Sequence, residues 1–341
     1  MFINFNIHKI LLYFIMIMSI LYSISSNTWI NMWIGMEINL MAFIPLMSKM
    51  SNLISSECMM KYFLIQAFTS MNFIFIIFLS NFLNKWFYMN FYNYMINILI
   101  NLTLIMKMGA APFFFWFPKV MKGLNWLNCF ILMSWQKIIP MIMISMFMNF
   151  KIINFSVFFS IICGSILGLN QSNLKLIMSY SSIHHMGWMM IILKINMNLW
   201  NIYFFIYLYL NYMIIYFFNM MQLFHLTQLY LLNTNLFMKM TFFMNFLSLS
   251  GIPPFLGFFP KWITINFLMM FNMNMILFTM IMFSLINFFF YLRITYSSFF
   301  FYNFKFKFMK FYMNKFMNKM NFYSLMSSFN LISIILFFNI Y

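Results

Sequence analysis

A handful of the ionisable side chains in this sequence stand within apolar runs, where exchanging a proton is the chemistry open to them. Of the two acids, Glu37 lies in the middle of the run 28–47, well over two helical turns from either end. Lys107 sits two residues before Gly109, deep in the run 91–118. Lys137 lies in WQKIIP, near the centre of the run 126–148 and one turn before the kink expected at Pro140, and Lys261 closes the stretch GIPPFLGFFPK. An ion held in hydrocarbon costs several kcal/mol unless it is paired or neutralised, so each of these asks for a partner. Desolvation favours the neutral amine, whereas a carboxylate about 4 Å away favours the ammonium by roughly 4 kcal/mol at an effective dielectric of about 20. A lysine whose carboxylate approaches or retreats is therefore a switchable proton site, and Glu37 and Lys107 are expected within hydrogen-bonding or one-water distance. The ordinary alternative is a lysine that snorkels to a headgroup, which fits Lys261 better than the two mid-helix lysines.

Other titratable groups divide the same way. His184 and His185 diverge by about 100° on a helix, so they cannot share one metal; packing and hydrogen bonding to Ser181 or Ser182 competes with a relay role. Glu57 and Lys61 form an i,i+4 pair typical of a helix start. His8 and His225 fall near loop ends and carry no assignment. Cys58, Cys129 and Cys163 are unpaired in spacing and set among apolar residues, which suits small packing residues and suggests neither disulfides nor a metal or iron–sulfur site. No nucleophile constellation, phosphate loop, flavin or haem signature accompanies them. What the residues support is a proton conduit.

The elements that must hold these groups are unusual at two places. Residues 109–119 read GAAPFFFWFPK and residues 251–261 read GIPPFLGFFPK, a shared G-x-x-P-F-x-x-x-F-P-K. Gly109, Pro112, Gly251, Pro253 and Pro254 interrupt long apolar segments and leave backbone groups in need of partners. Corresponding breaks in two parts of a membrane chain point to the ion or substrate site of an inverted-repeat transporter.

Composition requires a membrane setting. With 65% hydrophobic and only 6% charged residues, the chain is no soluble globule, since soluble domains carry about 25% charged residues. Without strand alternation, its apolar segments must be helices. Spanning runs fall at about 10–25, 28–47, 60–80, 91–118, 126–148, 152–170, 174–193, 199–221, 238–268, 273–292 and 322–340, giving an all-α polytopic protein of about eleven transmembrane helices. The first run is followed directly by another and has no small-residue cleavage site, so no cleavable leader is expected. Trp29, Trp86 and Trp200 read as interfacial anchors.

The cations set direction. Thirteen fall at the N-terminus or after even-numbered spans, while the opposite loops hold only Lys85, Lys151 and Lys194. The positive-inside rule then puts the N-terminus on the cytoplasmic or matrix side and the C-terminus opposite. The two breaks run in opposite directions, so residues 1–341 read as one transmembrane domain of two inverted halves. The net charge of +17 is scattered between apolar runs, which argues against nucleic-acid binding. The stretch 299–319 interleaves Lys with Phe and Tyr, as a segment in an anionic headgroup layer or as a solvated basic loop. Four Ala, two Val, one Arg and no Asp reflect A+T-rich codons and hint at an organellar gene.

The runs GMEINLMAFIPLM (35–47), KYFLIQAFTS (61–70), KMGAAPFFFWFPKVMKGLNW (107–126), SWQKIIPMIMIS (134–145), GLNQSNLKLIMSYSSIHHMGWMM (168–190) and LSLSGIPPFLGFFPKW (247–262) closely resemble the chain 2 family of mitochondrial NADH:ubiquinone oxidoreductase, respiratory complex I, in its insect form. The resemblance implies an antiporter-like membrane-arm subunit in the mitochondrial inner membrane, translocating protons as quinone is reduced elsewhere. It implies partners among the membrane-arm and accessory subunits and no cofactor in this chain; flavin, iron–sulfur clusters and ubiquinone belong to other subunits. Carried over, Glu37 and Lys107 match the family's intramembrane acid and its lysine partner, Lys137 the central lysine, Lys261 the lysine near the second broken helix, and His185 the histidine of SSI-x-HMGW. Phe114, in place of a common histidine, and Lys119 and Lys122, in a stretch where relatives often carry an acid, depart from the pattern and weaken a proton-uptake role for that loop. Two other readings compete: a stand-alone cation/proton antiporter, and a scaffold whose charges only lock helices together.

Overall fold

The structure, a computed structural model, describes residues 7–48, 53–86, 90–230, 236–300 and 327. Helix dominates because long apolar runs leave the backbone no partner except itself. Eight helices among the described residues are long and apolar enough to cross a membrane. The predicted runs 91–118 and 238–268 are each helices separated by a break. All but residue 327 of the eleventh run, 322–340, the stretch 299–319 beyond residue 300 and Lys49 lie outside the described residues.

The chain forms two compact units, Met1–Ser160 and Ile161–Tyr341. Unit one holds α1 (Ile7–Ser25), α2 (Trp29–Met47), α3 (Leu53–Trp86), α4 (Asn90–Met108), α5 (Trp116–Gly123), α6 (Trp126–Met133) and α7 (Trp135–Met146). α8 (Phe150–Gly168) runs across the boundary. Unit two continues with α9 (Leu174–Ile195), α10 (Met197–Met221), α11 (Leu226–Tyr230), α12 (Leu236–Ser250), α13 (Phe258–Met270) and α14 (Asn274–Phe300).

In unit one, α1 packs on α2, α2 and α5 on α3, α3 on α4, and α4 on α7. Small residues allow the close approaches: a Cβ on Gly35 would fall 2.8 Å from Cβ of Ser23, and one on Gly123 would fall against the Cys58 sulfur. Buried serines are satisfied locally, as where Ser19 and Ser23 each donate at 2.8 Å to the carbonyl three residues back. The buried Cys58 and Cys129 thiols donate to the carbonyls of Lys119 and Met121. Glu57 and Lys61 pair at 3.3 Å inside the first turns of α3, which starts seven residues before the expected span.

Unit two is built round α9, buried along nearly its whole length, with α10 and α13 packed on it and α14 against α11, α12 and α13. Asn173 and Asn196 cap α9 and α10, each side chain accepting from the amide two residues on. Trp200, expected at an interface, is instead 3% exposed and stacked on Phe204, one turn into α10.

Candidate functional site

Gly109 and Gly251 end α4 and α12 at φ +71° and +82°, the left-handed conformation that only glycine adopts without strain. Their amides donate to Met106 and Ser248, and Phe113 and Phe255 then donate to Ala110 and Ile252, so both breaks begin with the same two bonds in the same register. Pro112 lies between α4 and α5, and Pro253 and Pro254 between α12 and α13. The breaks differ in what meets the exposed carbonyls of the ended helix. At the first, the indole of Trp116 donates to Met106 O at 3.1 Å. At the second, the Lys261 ammonium donates to Ser250 O at 2.7 Å and lies 3.0 Å from where a Cβ on Gly251 would be. Lys119 and Lys261 share a motif position, yet Lys119 is exposed and Lys261 only 5% exposed. Lys261 therefore does not snorkel; its amine lies 5.6 Å above the Trp188 ring.

Unit one encloses the other two lysines. A cavity of about 20 Å³ is lined by Lys107, Lys137, Asn39, Tyr62, Gln66 and Gln136 together with apolar side chains. That is room for about one water, and polar groups surround it. Lys137 is 2% exposed, with its amine 5.3 Å from the Phe117 ring centre. Lys107 Nζ is buried at the end of α4, whose final turn is held to α3 by Gln66, donating to Lys107 O at 3.0 Å. Across the cavity Asn39 and Gln136 form a reciprocal amide pair at 2.9 and 3.2 Å, and the Tyr62 hydroxyl donates to Gln136 at 3.4 Å. The pair ties α2, which carries Glu37, to α7, which carries Lys137.

Glu37 and Lys107, expected within hydrogen-bonding or one-water distance, make no direct hydrogen bond. Glu37 Oε1 and Lys107 Nζ are both buried without hydrogen-bond partners among the described residues. Lys107 lines the cavity and Glu37 does not, although its charge acts on both Lys107 and Tyr62. The helix carrying Lys137 is divided at Ser134, at φ −114° and ψ −76°, one to two turns before Pro140 where the kink was expected. Ser134 Oγ donates to Phe130 O at 2.5 Å, a bond to the carbonyl four residues back that bends helices.

In unit two the histidines find partners other than the expected serines, whose hydroxyls donate to Met178 O and Ser179 O. His185 Nδ1 lies 2.8 Å from the Tyr203 hydroxyl, and His184 Nδ1 lies 3.0 Å from Asn287 Nδ2. The imidazole planes stand 86° apart. Asn39, Gln136, Tyr62, Tyr203 and Asn287 were not anticipated from sequence.

Residues 26–289 match a family described as the NADH:quinone oxidoreductase/Mrp antiporter transmembrane family. The chain belongs to that family. Relatives named NADH-ubiquinone oxidoreductase chain 2 include those of Anopheles gambiae, 44% identical over 96% of this chain and 93% of theirs, and Locusta migratoria, 38% identical over 96% of each. The NADH:quinone oxidoreductase/Mrp antiporter fold recurs in a chain of respiratory complex I from Thermus thermophilus, with a TM-score of 0.77 and 20% identity over 85% of this chain and 70% of that one. A chain of an archaeal membrane-bound sulfane sulfur reductase gives a TM-score of 0.79 at 13% identity, over 96% of this chain and 73% of that one. Within this family assignment the chain is a multi-pass, almost wholly helical membrane protein with two broken helices.

Proposed function

We propose that this chain is a proton-translocating, antiporter-like subunit of the membrane arm of a respiratory NADH:ubiquinone oxidoreductase. The observation that carries the reading is the polar cavity of unit one, which brings two lysines onto one water-sized space inside an apolar bundle. Transfer between them breaks an N–H bond at one amine and forms one at the other through water in the cavity, while the Glu37 carboxylate biases Lys107 toward its ammonium form. Asn39 and Gln136, satisfied by each other, are neutral walls that neither trap a charge nor accept the proton. In unit two, Lys261 and His185 continue the set, with Tyr203 orienting the imidazole. The described relatives and the absence of a redox motif in the sequence support electron transfer on other subunits, which carry the flavin, iron–sulfur clusters and ubiquinone. The chain acts with other membrane-arm and accessory subunits and anionic lipids in the mitochondrial inner membrane. The distribution of cations along the sequence supports an N-terminus on the matrix side, a C-terminus on the intermembrane-space side, and two halves of one transmembrane domain with opposite topology.

The family also includes Mrp antiporters, and a chain of the Mrp complex from Dietzia sp. shares the fold with a TM-score of 0.74 at 12% identity, over 83% of this chain and 59% of that one. Sodium exchange favours hard oxygen ligands, and Glu37 is the single intramembrane carboxylate among the described residues, which favours protons as cargo. The test is Lys137→Met, which keeps most of the volume and removes the proton site. An assembled complex that oxidises NADH but pumps fewer protons per electron supports the proposal; an unchanged ratio favours a scaffold.

A further inference from the structure

His184 has no part in the proton path above, yet it is 0% exposed at the centre of unit two. Its Nδ1 lies 3.0 Å from Asn287 Nδ2 on α14, while its Nε2 and the Asn287 Oδ1 are both buried without hydrogen-bond partners among the described residues. Burying an unsatisfied polar atom costs about 1–3 kcal/mol, and two such atoms on one contacting pair are expensive for a purely structural tie. The backbone carrying the ring is closely packed: a Cβ on Gly164 would lie 2.6 Å from the His184 amide nitrogen. One turn along the same face of α9, Trp188 carries the Lys261 amine over its ring, and the Lys261 charge acts on His184.

Resting on the reading of Lys261 as a proton site, we propose that His184 receives the proton that Lys261 releases and that rotation of the Asn287 amide sets when it can do so. With Asn287 Nδ2 donating to Nδ1, the neutral ring carries its proton on Nε2 and offers no base. As the amide turns by half a rotation the ring changes tautomer: an Nδ1–H bond forms with a proton taken from water and the Nε2–H bond breaks with its proton given to water, so that Oδ1 accepts from Nδ1–H and Nε2 holds a free lone pair. An N–H bond of the Lys261 ammonium then breaks, directly or through water, and an Nε2–H bond forms; the amine is left neutral and the imidazole becomes imidazolium, still donating from Nδ1 to Oδ1. Asparagine suits this position because one side chain serves both states of the ring, as leucine could not. His185, turned about a right angle away and held by Tyr203, stays separate from this exchange.

His184→Gln tests the idea in the assembled, vesicle-reconstituted complex. Glutamine can still partner Asn287 but cannot carry the proton, so NADH oxidation and assembly should persist while protons pumped per electron fall. Asn287→Asp is the second variant: a carboxylate beside Nδ1 holds the proton on the ring, and the same loss is expected. An unchanged ratio in either assembled variant overturns the proposal, and failure of both to assemble would show a structural tie and overturn it too. Lys261→Met is the control. If it leaves pumping unchanged, the reading of Lys261 itself fails; if it lowers pumping while His184→Gln does not, only the role of His184 is lost.

Discussion

A half-buried amide pair separates stability from transport more cleanly than any charged residue in this chain. Asn39 and Gln136 satisfy each other across the cavity that holds Lys107 and Lys137. Asn39→Leu leaves Gln136 facing an apolar group, at a cost of about 1–3 kcal/mol, whereas replacing both residues by Leu removes the orphan and recovers much of that stability. Pumping should not recover, because the double replacement dries the wall along which the proton moves. Thermal midpoints and proton-to-electron ratios of the three assembled variants would check this; recovery of both together would reduce the pair to packing. A second contrast uses the lysines. Lys119→Met should leave the ratio unchanged where Lys137→Met lowers it, since Lys119 is exposed and Lys137 enclosed. The sequence made the charged groups legible because an ion within an apolar run is conspicuous, and their burial agrees with that reading. The amides were not legible, because asparagine is so common in this chain that one more in an apolar run carries little information.

The two broken helices are the elements that a sequence can announce, since glycine and proline in a repeated pattern have few other uses in an apolar segment. What fills each break was hidden. An indole meets the ended helix at the first and a lysine at the second, and only the path of α5 and α13 decides which side chain reaches the carbonyl. The division of the sixth and seventh helices at Ser134 was missed for a different reason: it contains neither glycine nor proline and follows from one hydroxyl bonded to the carbonyl four residues back. Close packing gives this scale its prediction. A Cβ on Gly257 would lie 1.7 Å from the Ser248 carbonyl oxygen, so Gly257→Ala must displace backbone at the second break and should cost about 1–3 kcal/mol or more. At Gly168 the nearest atom is 3.3 Å away on the Phe290 ring, which can turn aside, and Gly168→Ala should be tolerated. The amount of assembled complex on native gels would read both, and equal effects would contradict the packing described.

For the whole molecule, the question left by a chain this apolar is which way it faces, and its cations offer the handle. Exposed side chains such as Phe14 and Leu21 on α1 or Phe278 and Phe289 on α14 suit lipid or partner subunits and carry no sense of direction. Lysine does, because cytoplasmic or matrix loops retain positive charge during insertion. Within unit one the exposed residues Lys119 and Lys151 are separated by the span Trp126–Met146, so they must emerge on opposite sides of the membrane. The positive-inside assignment puts Lys119 and Lys122 in the matrix and Lys151 in the intermembrane space. An amine-reactive reagent that cannot cross the bilayer should therefore modify Lys151 in mitoplasts with a sealed inner membrane, and Lys119 and Lys122 only in inverted vesicles, as read by mass spectrometry of the digested chain. Labelling of Lys119 and Lys151 from the same side would contradict the span between them. The reverse pattern would preserve the fold but turn the chain over, and the sides from which protons are taken up and released would exchange with it.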